Sequence, residues 1–257
     1  MKILVCVKQV PEPEGIAVNR DAHGMAKLET FGRFAMNRFD EFAVEQAINI
    51  KESLPDVHIQ GITVGPDRAD QVLKRAVGMG CDEGIHLLTP TEIDQGPAAV
   101  AAWISQIGSE KYDLILCGTM SEDTMNGQVG PMAAALMDLP YATQVIGMQL
   151  TRDLSHVTIE REIEGGAREM VRLPLPALLA LQPGINRPRY PSLSNLLRAN
   201  QKVFETISTD TLATVTTEID CLGFVLPVHA RPAQLLTGSA KEKAEQVAGL
   251  LKARALI

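Results

Sequence analysis

The chain has 257 residues, enough for one large domain with an appendage and a substantial buried core. Apolar residues are 46% and charged residues 21%, a globular rather than a disordered composition, and the net charge of −7 argues against a nucleic-acid partner, whose affinity rests on clustered Lys and Arg. No run approaches the roughly 18 apolar residues of a membrane span.

Residues 2–8 (KILVCVK) read as a short buried strand that breaks at Lys8. The run is too short for a secretory signal core and is not an Arg-rich transit stretch, so the expected setting is the cytoplasm. Residues 11–35 carry Pro, Gly and polar residues and read as a long loop or hairpin. Asn37 opens a helix to about Ser53 as a candidate N-cap, with Asp40 and Glu41 at its positive end and Phe39, Ala43, Ala47 and Ile50 on one face. Strands follow at 58–64, 84–88 and 114–117, and helices at 67–79, 98–106 and 130–137. This alternation predicts an α/β fold, a doubly wound parallel sheet with helices on both faces. Such sheets bind ligands outside the carboxyl ends of their strands, where the strand order reverses. The loops of interest are therefore 6–10, 64–67 and 118–130.

After residue 140 the pattern changes. Short strands at 145–150, 157–163, 169–173 and 177–181 read as an antiparallel addition, the first three joined by turns at Arg152-Asp153 and Gly165-Gly166. Residues 182–191 carry three prolines and cannot be a regular element. Residues 201–238 read as an extended arm. Ser239 and Glu242 form a capping-box pattern ahead of a helix with an apolar stripe of Ala244, Val247, Ala248, Leu251 and Ala255.

The strongest candidate for chemistry is the segment 118–131. It is polar, holds Gly118, Gly127 and Gly130, and feeds a helix whose free N–H groups suit a phosphate. Asn126, Gly127, Gln128 and Val129 would form the cradle, and Pro131 fits the first helical turn. A plain strand-to-helix connection accounts for the same residues equally well, since the segment is neither a P-loop nor GxGxxG. Asn37–Asp40 and Val64-Gly65-Pro66 are weaker candidates, read first as an N-cap and as a turn. Cys6, Cys81, Cys117 and Cys221 are far apart, with no CxxC pair, and the five His residues lack metal-ligand spacing. There is no GxSxG elbow, and Glu160, Glu162 and Glu164 alternate with apolar residues as a solvated strand face does.

At these residues the chain resembles the beta subunits of electron transfer flavoproteins. The likeness runs through ILVCVKQV, MNRFDEFAVEQA, TVGP at 63–66, AVGMGCDEGIHL, DLILCGTMSED and, most specifically, IEREIEGGAREMVRLPLPALLA at 159–180. INRPRYPSL at 185–193 resembles that family's partner-recognition loop. The resemblance implies an adenine nucleotide alpha hydrolase-like sheet in residues 1–191, including recognition loop 182–191. It implies a C-terminal arm and helix, 192–257, that binds an alpha subunit. The implied complex is a heterodimer with FAD mainly in the alpha subunit and an adenine nucleotide in this one. It would shuttle electrons between flavin dehydrogenases, acyl-CoA dehydrogenase among them, and an acceptor, with no catalytic acid, base or nucleophile in this chain.

By position the implied nucleotide contacts are Cys6, Asn37, Arg38, Phe39, Asp40, Val64, Asp123, Thr124, Met125, Asn126, Gly127, Gln128, Val129, Gly130, Pro131, Met132, Ala133 and Ala134. Ile185 is the implied anchor on the dehydrogenase. Members that hold AMP commonly carry an Asp-Asp-Asp run before an Asn-Gln-Thr-Gly-Gln-Met loop. Gln128-Val129-Gly130-Pro131 instead resembles the electron-bifurcating branch, where a second FAD takes the AMP position, yet that branch usually has an acid where Met125 stands. AMP and FAD both stay open. A ligase or pyrophosphatase on a similar sheet would need a Ser-Gly-Gly loop where Cys6-Val7-Lys8-Gln9 stands. A solitary AMP-binding protein of the stress type would not need the arm.

Overall fold

The first strand shows how the sheet must be covered. Ile3 and Val5 point into one apolar cluster and Leu4 into another, and all three are fully buried. A strand buried on both faces needs helices on both, the ordinary setting of parallel strands. In the computed structural model of the protein, residues 1–20, 26–30, 32–90, 96–109, 111–213 and 235–257 are described.

The chain begins β1 (Lys2–Cys6), β2 (Gln9–Pro11), β3 (Ile16–Arg20), β4 (Ala26–Thr30), β5 (Phe34–Met36) and α1 (Arg38–Ser53). It continues β6 (His58–Gly65), α2 (Asp70–Met79), β7 (Glu83–Leu88), α3 (Pro97–Gly108), β8 (Leu114–Gly118) and α4 (Val129–Leu136). Then come β9 (Tyr141–Leu150), β10 (His156–Glu162), β11 (Arg168–Pro174), β12 (Ala177–Leu181), α5 (Leu193–Asn200), β13 (Glu205–Ser208) and α6 (Ala240–Ala253). The described residues form one sheet of nine strands in the order β11-β10-β9-β12-β8-β1-β6-β7-β13, and two small sheets, β2–β5 and β3–β4, from the expected loop or hairpin at 11–35.

The helices divide as the alternation in β1 requires. Ala43, Val44 and Ala47 of α1 and Val72, Leu73 and Ala76 of α2 pack on Ile3, Val5, Ile59 and Leu116. Trp103, Ile104 and Ile107 of α3 and Ala133 and Ala134 of α4 pack on Leu4, Ile62, Ile85 and Ile115. The fold is the expected doubly wound α/β sheet. From β1 the chain steps outward to β6 and β7, then returns past β1 to β8, so the reversal lies between β1 and β8.

Three elements differ from expectation. β9, β10 and β11 form the antiparallel extension, but β12 does not join it. It inserts between β8 and β9, parallel to both, because Ala177–Leu181 is a continuous apolar run buried along its whole length. Leu193–Asn200 is a helix, capped by the Ser192 side chain, which accepts from the Asn195 N–H at 3.2 Å. Its Leu196 packs so closely on α2 that a Cβ on Gly78 would lie 3.0 Å from Leu196 Cδ2. Glu205–Ser208, within the expected arm, instead adds a parallel edge strand beside β7.

The chain divides into two compact units, residues 1–18 with 28–221 and residues 19–27 with 222–257. Most of the expected arm, 214–234, lies outside the described residues. In the second unit α6 opens with the expected capping box: Ser239 Oγ accepts from the Glu242 N–H, and the Glu242 carboxylate accepts from the Ser239 N–H at 2.7 Å. No residue of α6 is buried.

The proline-rich stretch 182–191 is irregular, as expected, and is clamped to α1. The Arg189 guanidinium donates to Glu45 at 2.9 and 3.0 Å and to Glu52 at 2.6 and 3.1 Å, and Asn186 Nδ2 donates to the Phe42 carbonyl at 3.0 Å. Glu45 is buried, so Arg189 is its counter-charge. Arg189→Met is expected to lower stability by about 2 kcal/mol, because a buried carboxylate loses its partner. Arg189→Lys should recover part of that loss in urea unfolding; equal midpoints for Arg189→Met and the parent would contradict the clamp.

Candidate functional site

The site grows from the carboxyl ends of β1 and β8, which the first turn of α1 ties together. Asp40 is buried, and its carboxylate accepts from the Lys8 N–H at 2.7 Å and the Gly118 N–H at 2.9 Å. One carboxylate thus satisfies a backbone donor at the end of each strand. Burial pushes the Asp40 carboxyl up to about 7, against the opposing pull of the two N–H groups, Asn37 and the Lys8 charge.

Asn37 sits at the N-cap position of α1, but its side chain does not cap the helix. It is buried and reaches across to the loop after β8, where Nδ2 donates to the Met120 carbonyl at 2.9 Å and Oδ1 accepts from the Glu122 N–H at 3.1 Å. The N-cap expectation is corrected in this respect: a side chain that could cap locally instead makes a tertiary bridge. Arg38, mostly exposed, faces Glu122 at 3.9 Å.

Lys8 completes the junction. Its ammonium donates to Ser121 Oγ at 3.3 Å and pairs with the Asp123 carboxylate at 2.8 Å. Burial alone would raise the Asp123 carboxyl, but hydrogen bonds from Lys8, Ser121 and the Thr124 N–H and the Lys8 charge hold it below the usual range. On the other side of Lys8, Gln9 Nε2 donates to the Arg68 carbonyl at 2.8 Å. Lys8 and Gln9 therefore link the loop after β1 to the loops after β8 and β6. The sequence marks their loop, 6–10, as one of interest but singles out neither Lys8 nor Gln9 as a site residue.

The structure brings Asn37, Asp40, Asp123 and Thr124 together around Lys8. Cys6 ends β1 beside them, and its thiol is raised to about 12 by burial and then by Asp40. Cys117, one strand over, is raised well above a free thiol, again by burial first. Neither is poised as a thiolate nucleophile. Val64 packs partly buried against the second core cluster at the end of β6. Met125 is set apart: it is 67% exposed and takes a left-handed backbone, φ 52°.

Gln128 precedes α4 without making a side-chain cap. Gly130 lets α4 come close to the sheet, since a Cβ there would lie 2.9 Å from Cys117 Sγ. Behind it Ala133 and Ala134 are buried, while Met132 is exposed. The first turn of α4 thus presents backbone N–H groups with neither a side-chain cap nor an acid in that turn, a fit for a phosphate.

Phe39 lines a cleft of about 430 Å³ together with Phe42, Arg75, Glu122, Pro188 and Tyr190. Ile185 is half-buried and packs on the first core cluster, whereas Tyr190, Leu193 and Leu197 are exposed apolar side chains beyond it. Among the described residues no group of His, Cys, Asp and Glu could hold a metal, and no helix is long and apolar enough to cross a membrane.

Comparison with known proteins agrees with this architecture. Residues 27–212 match the electron transfer flavoprotein domain model. The chain is 31% identical over 231 residues to the electron transfer flavoprotein subunit beta of Bacillus subtilis (strain 168), covering 86% of this chain and 87% of that one. It is 32% identical over 260 residues to the subunit beta of Dictyostelium discoideum, covering 100% and 99%. It is 35% identical over 212 residues to that of Homo sapiens, covering 80% and 81%. The chain belongs to the beta-subunit family of electron transfer flavoproteins.

Proposed function

We propose that this chain binds an adenine nucleotide at the β1–β8 switch point and works, as a heterodimer with an alpha subunit, as an electron carrier rather than a free-standing enzyme. The observation that carries the reading is the junction of Lys8, Asn37, Asp40 and Asp123 at the carboxyl ends of β1 and β8, next to the uncapped start of α4. That is where a doubly wound sheet places a nucleotide. The flavin, held mainly by the alpha subunit, supplies the redox chemistry. This chain's residues position it and exclude water.

The same reading gives the segment 182–193 the role of meeting a flavin dehydrogenase of the acyl-CoA dehydrogenase type, with Ile185 as anchor. The exposed Tyr190 and Leu193 extend that surface. The residues 192–257 serve alpha-subunit binding. The setting is the cytoplasm, in keeping with the free thiols of Cys6, Cys81 and Cys117.

A second FAD in place of AMP is the alternative for the nucleotide, supported by Gln128-Val129-Gly130-Pro131. The adenosine and first phosphate are common to both ligands, so the cradle accepts either. Acid release from the purified heterodimer, with flavin and AMP quantified separately, tests the assignment. One flavin plus one AMP per dimer supports the simple carrier, and two flavins support the bifurcating type. A dimer that releases no adenine nucleotide beyond the alpha subunit's FAD overturns the reading.

A further inference from the structure

We propose that Lys8 is the group by which the switch-point site reads phosphate, passing its ammonium from Asp123 to the first phosphate of the adenine nucleotide when one binds. The inference rests on the nucleotide reading above and assigns it a residue. Lys8 is held as a fixed base with a movable arm. Its N–H is bound by Asp40 at 2.7 Å, and its carbonyl accepts from the Asn37 N–H at 2.9 Å. Its side chain, 35% exposed, reaches across the junction to Ser121 and Asp123.

The ion pair is a weak hold. Both partners are partly exposed, and such pairs contribute little because water screens them. Asp123 also keeps a partner when Lys8 leaves, because its carboxylate accepts from the Thr124 N–H at 2.8 Å. A phosphate, with higher charge and three acceptor oxygens, competes well for a lysine.

Other cations near this end of the sheet are placed for other contacts. Arg68 bonds Gln9, and its guanidinium lies 3.8 Å over the Phe34 ring. Arg38 is 80% exposed and faces Glu122. Residues 118–134, which carry the cradle, contain neither Lys nor Arg. Of the two cations that meet that segment, Arg38 stands 3.9 Å from Glu122, whereas the Lys8 ammonium hydrogen-bonds Ser121 and Asp123.

The test compares AMP with adenosine as titrants of the nucleotide-stripped heterodimer. Lys8→Met is expected to weaken AMP by roughly 10- to 100-fold, the loss of one charge-assisted hydrogen bond, while adenosine affinity holds. Lys8→Arg should restore most of the AMP affinity. Asp123→Asn, which removes the competitor and keeps the Thr124 contact, should raise the AMP-to-adenosine affinity ratio, since any contact Asp123 makes with the adenosine part is lost to both ligands alike. If AMP and adenosine fall together, or AMP does not change, Lys8 is structural and the inference is wrong. Should Lys8→Met fail to assemble, Asp123→Asn decides: a lowered or unmoved AMP-to-adenosine ratio there overturns the proposal. A parent heterodimer that binds AMP with an unmoved AMP-to-adenosine ratio in the variants sinks only the Lys8 role. A parent that takes neither AMP nor FAD in this chain sinks the nucleotide reading and this inference with it.

Discussion

Gly118→Ala is expected to lower stability by about 3 kcal/mol or more and to cost the heterodimer its nucleotide. A Cβ at this position would stand 2.5 Å from Asp40 Oδ1, 2.6 Å from Phe39 Cβ and 2.8 Å from the Phe39 carbonyl carbon. Two of those atoms belong to the Phe39 backbone carbonyl or its Cβ, and the third to a carboxylate fixed by two N–H bonds, so none can swing aside as the tip of a flexible chain would. Relief requires α1 to move away from β8, which breaks the Asp40–Gly118 bond and disturbs the Asn37 bridge. Overpacking of a fixed core site ordinarily costs about 1–3 kcal/mol, and here buried hydrogen bonds are lost as well. Gly165→Ala is the control. That glycine has a left-handed φ of 77° but nothing within 4 Å of its Cβ position, so backbone strain alone is expected, about 1 kcal/mol. Urea unfolding of both variants checks the contrast. Equal losses at the two positions would refute the view that α1 is seated on β8 through Gly118.

The helices around the sheet could be read from the sequence because each carries a periodic apolar face; Ala43, Ala47 and Ile50 of α1 are buried as their spacing implies. α5 escaped because it has only eight residues, directly after a proline-rich stretch, and β13 because four residues on an exposed sheet edge carry little alternation. β12 was visible as a strand, but its parallel placement depends on burial across both faces, which no local pattern separates from a hairpin partner.

The site was legible as loops and not as contacts. Topology pointed to the ends of β1, β6 and β8, and the glycines of 118–130 marked the cradle. Asp40 read as an acid near a helix N-terminus, whereas its partners Lys8 and Gly118 are 32 and 78 positions away in the chain. Asn37 likewise read as a cap because capping is the local use of an Asn, while its actual partners, Met120 and Glu122, lie 83 and 85 positions on. Pairings set by tertiary packing leave no trace in neighbouring residues, so the chemistry of the junction emerged only with the fold.

Asp40 also gives stability a pH dependence whose sign is fixed by its environment. Its carboxyl is raised from an unfolded value of 3.8 to about 7, chiefly by burial. The folded state therefore binds the proton more tightly than the unfolded chain. The favourable contribution is complete below about pH 4 and is lost as pH rises through about 7. The charged neighbours do not reverse this: Lys8 and the two N–H groups already pull the value down, Asp123 is held low and stays ionised, and the Cys6 and Cys117 thiols are raised and stay neutral. Asp40→Asn removes the titrating group but keeps one acceptor for the two N–H donors. The variant, uncharged at every pH, should gain stability relative to the parent as pH rises from 4, where the parent's buried carboxyl is itself neutral, to 8, where ionising it costs the parent stability. The full change in the difference is on the order of 4 kcal/mol, from about three units at 1.36 kcal/mol each. All other titrating groups are shared by the two proteins and cancel in the difference. Urea unfolding at pH 4, 5, 6, 7 and 8 reads the curve. A difference that stays flat across this range, or moves in the parent's favour toward alkaline pH, would show that Asp40 is ionised at no cost in the folded protein and that burial does not govern its carboxyl.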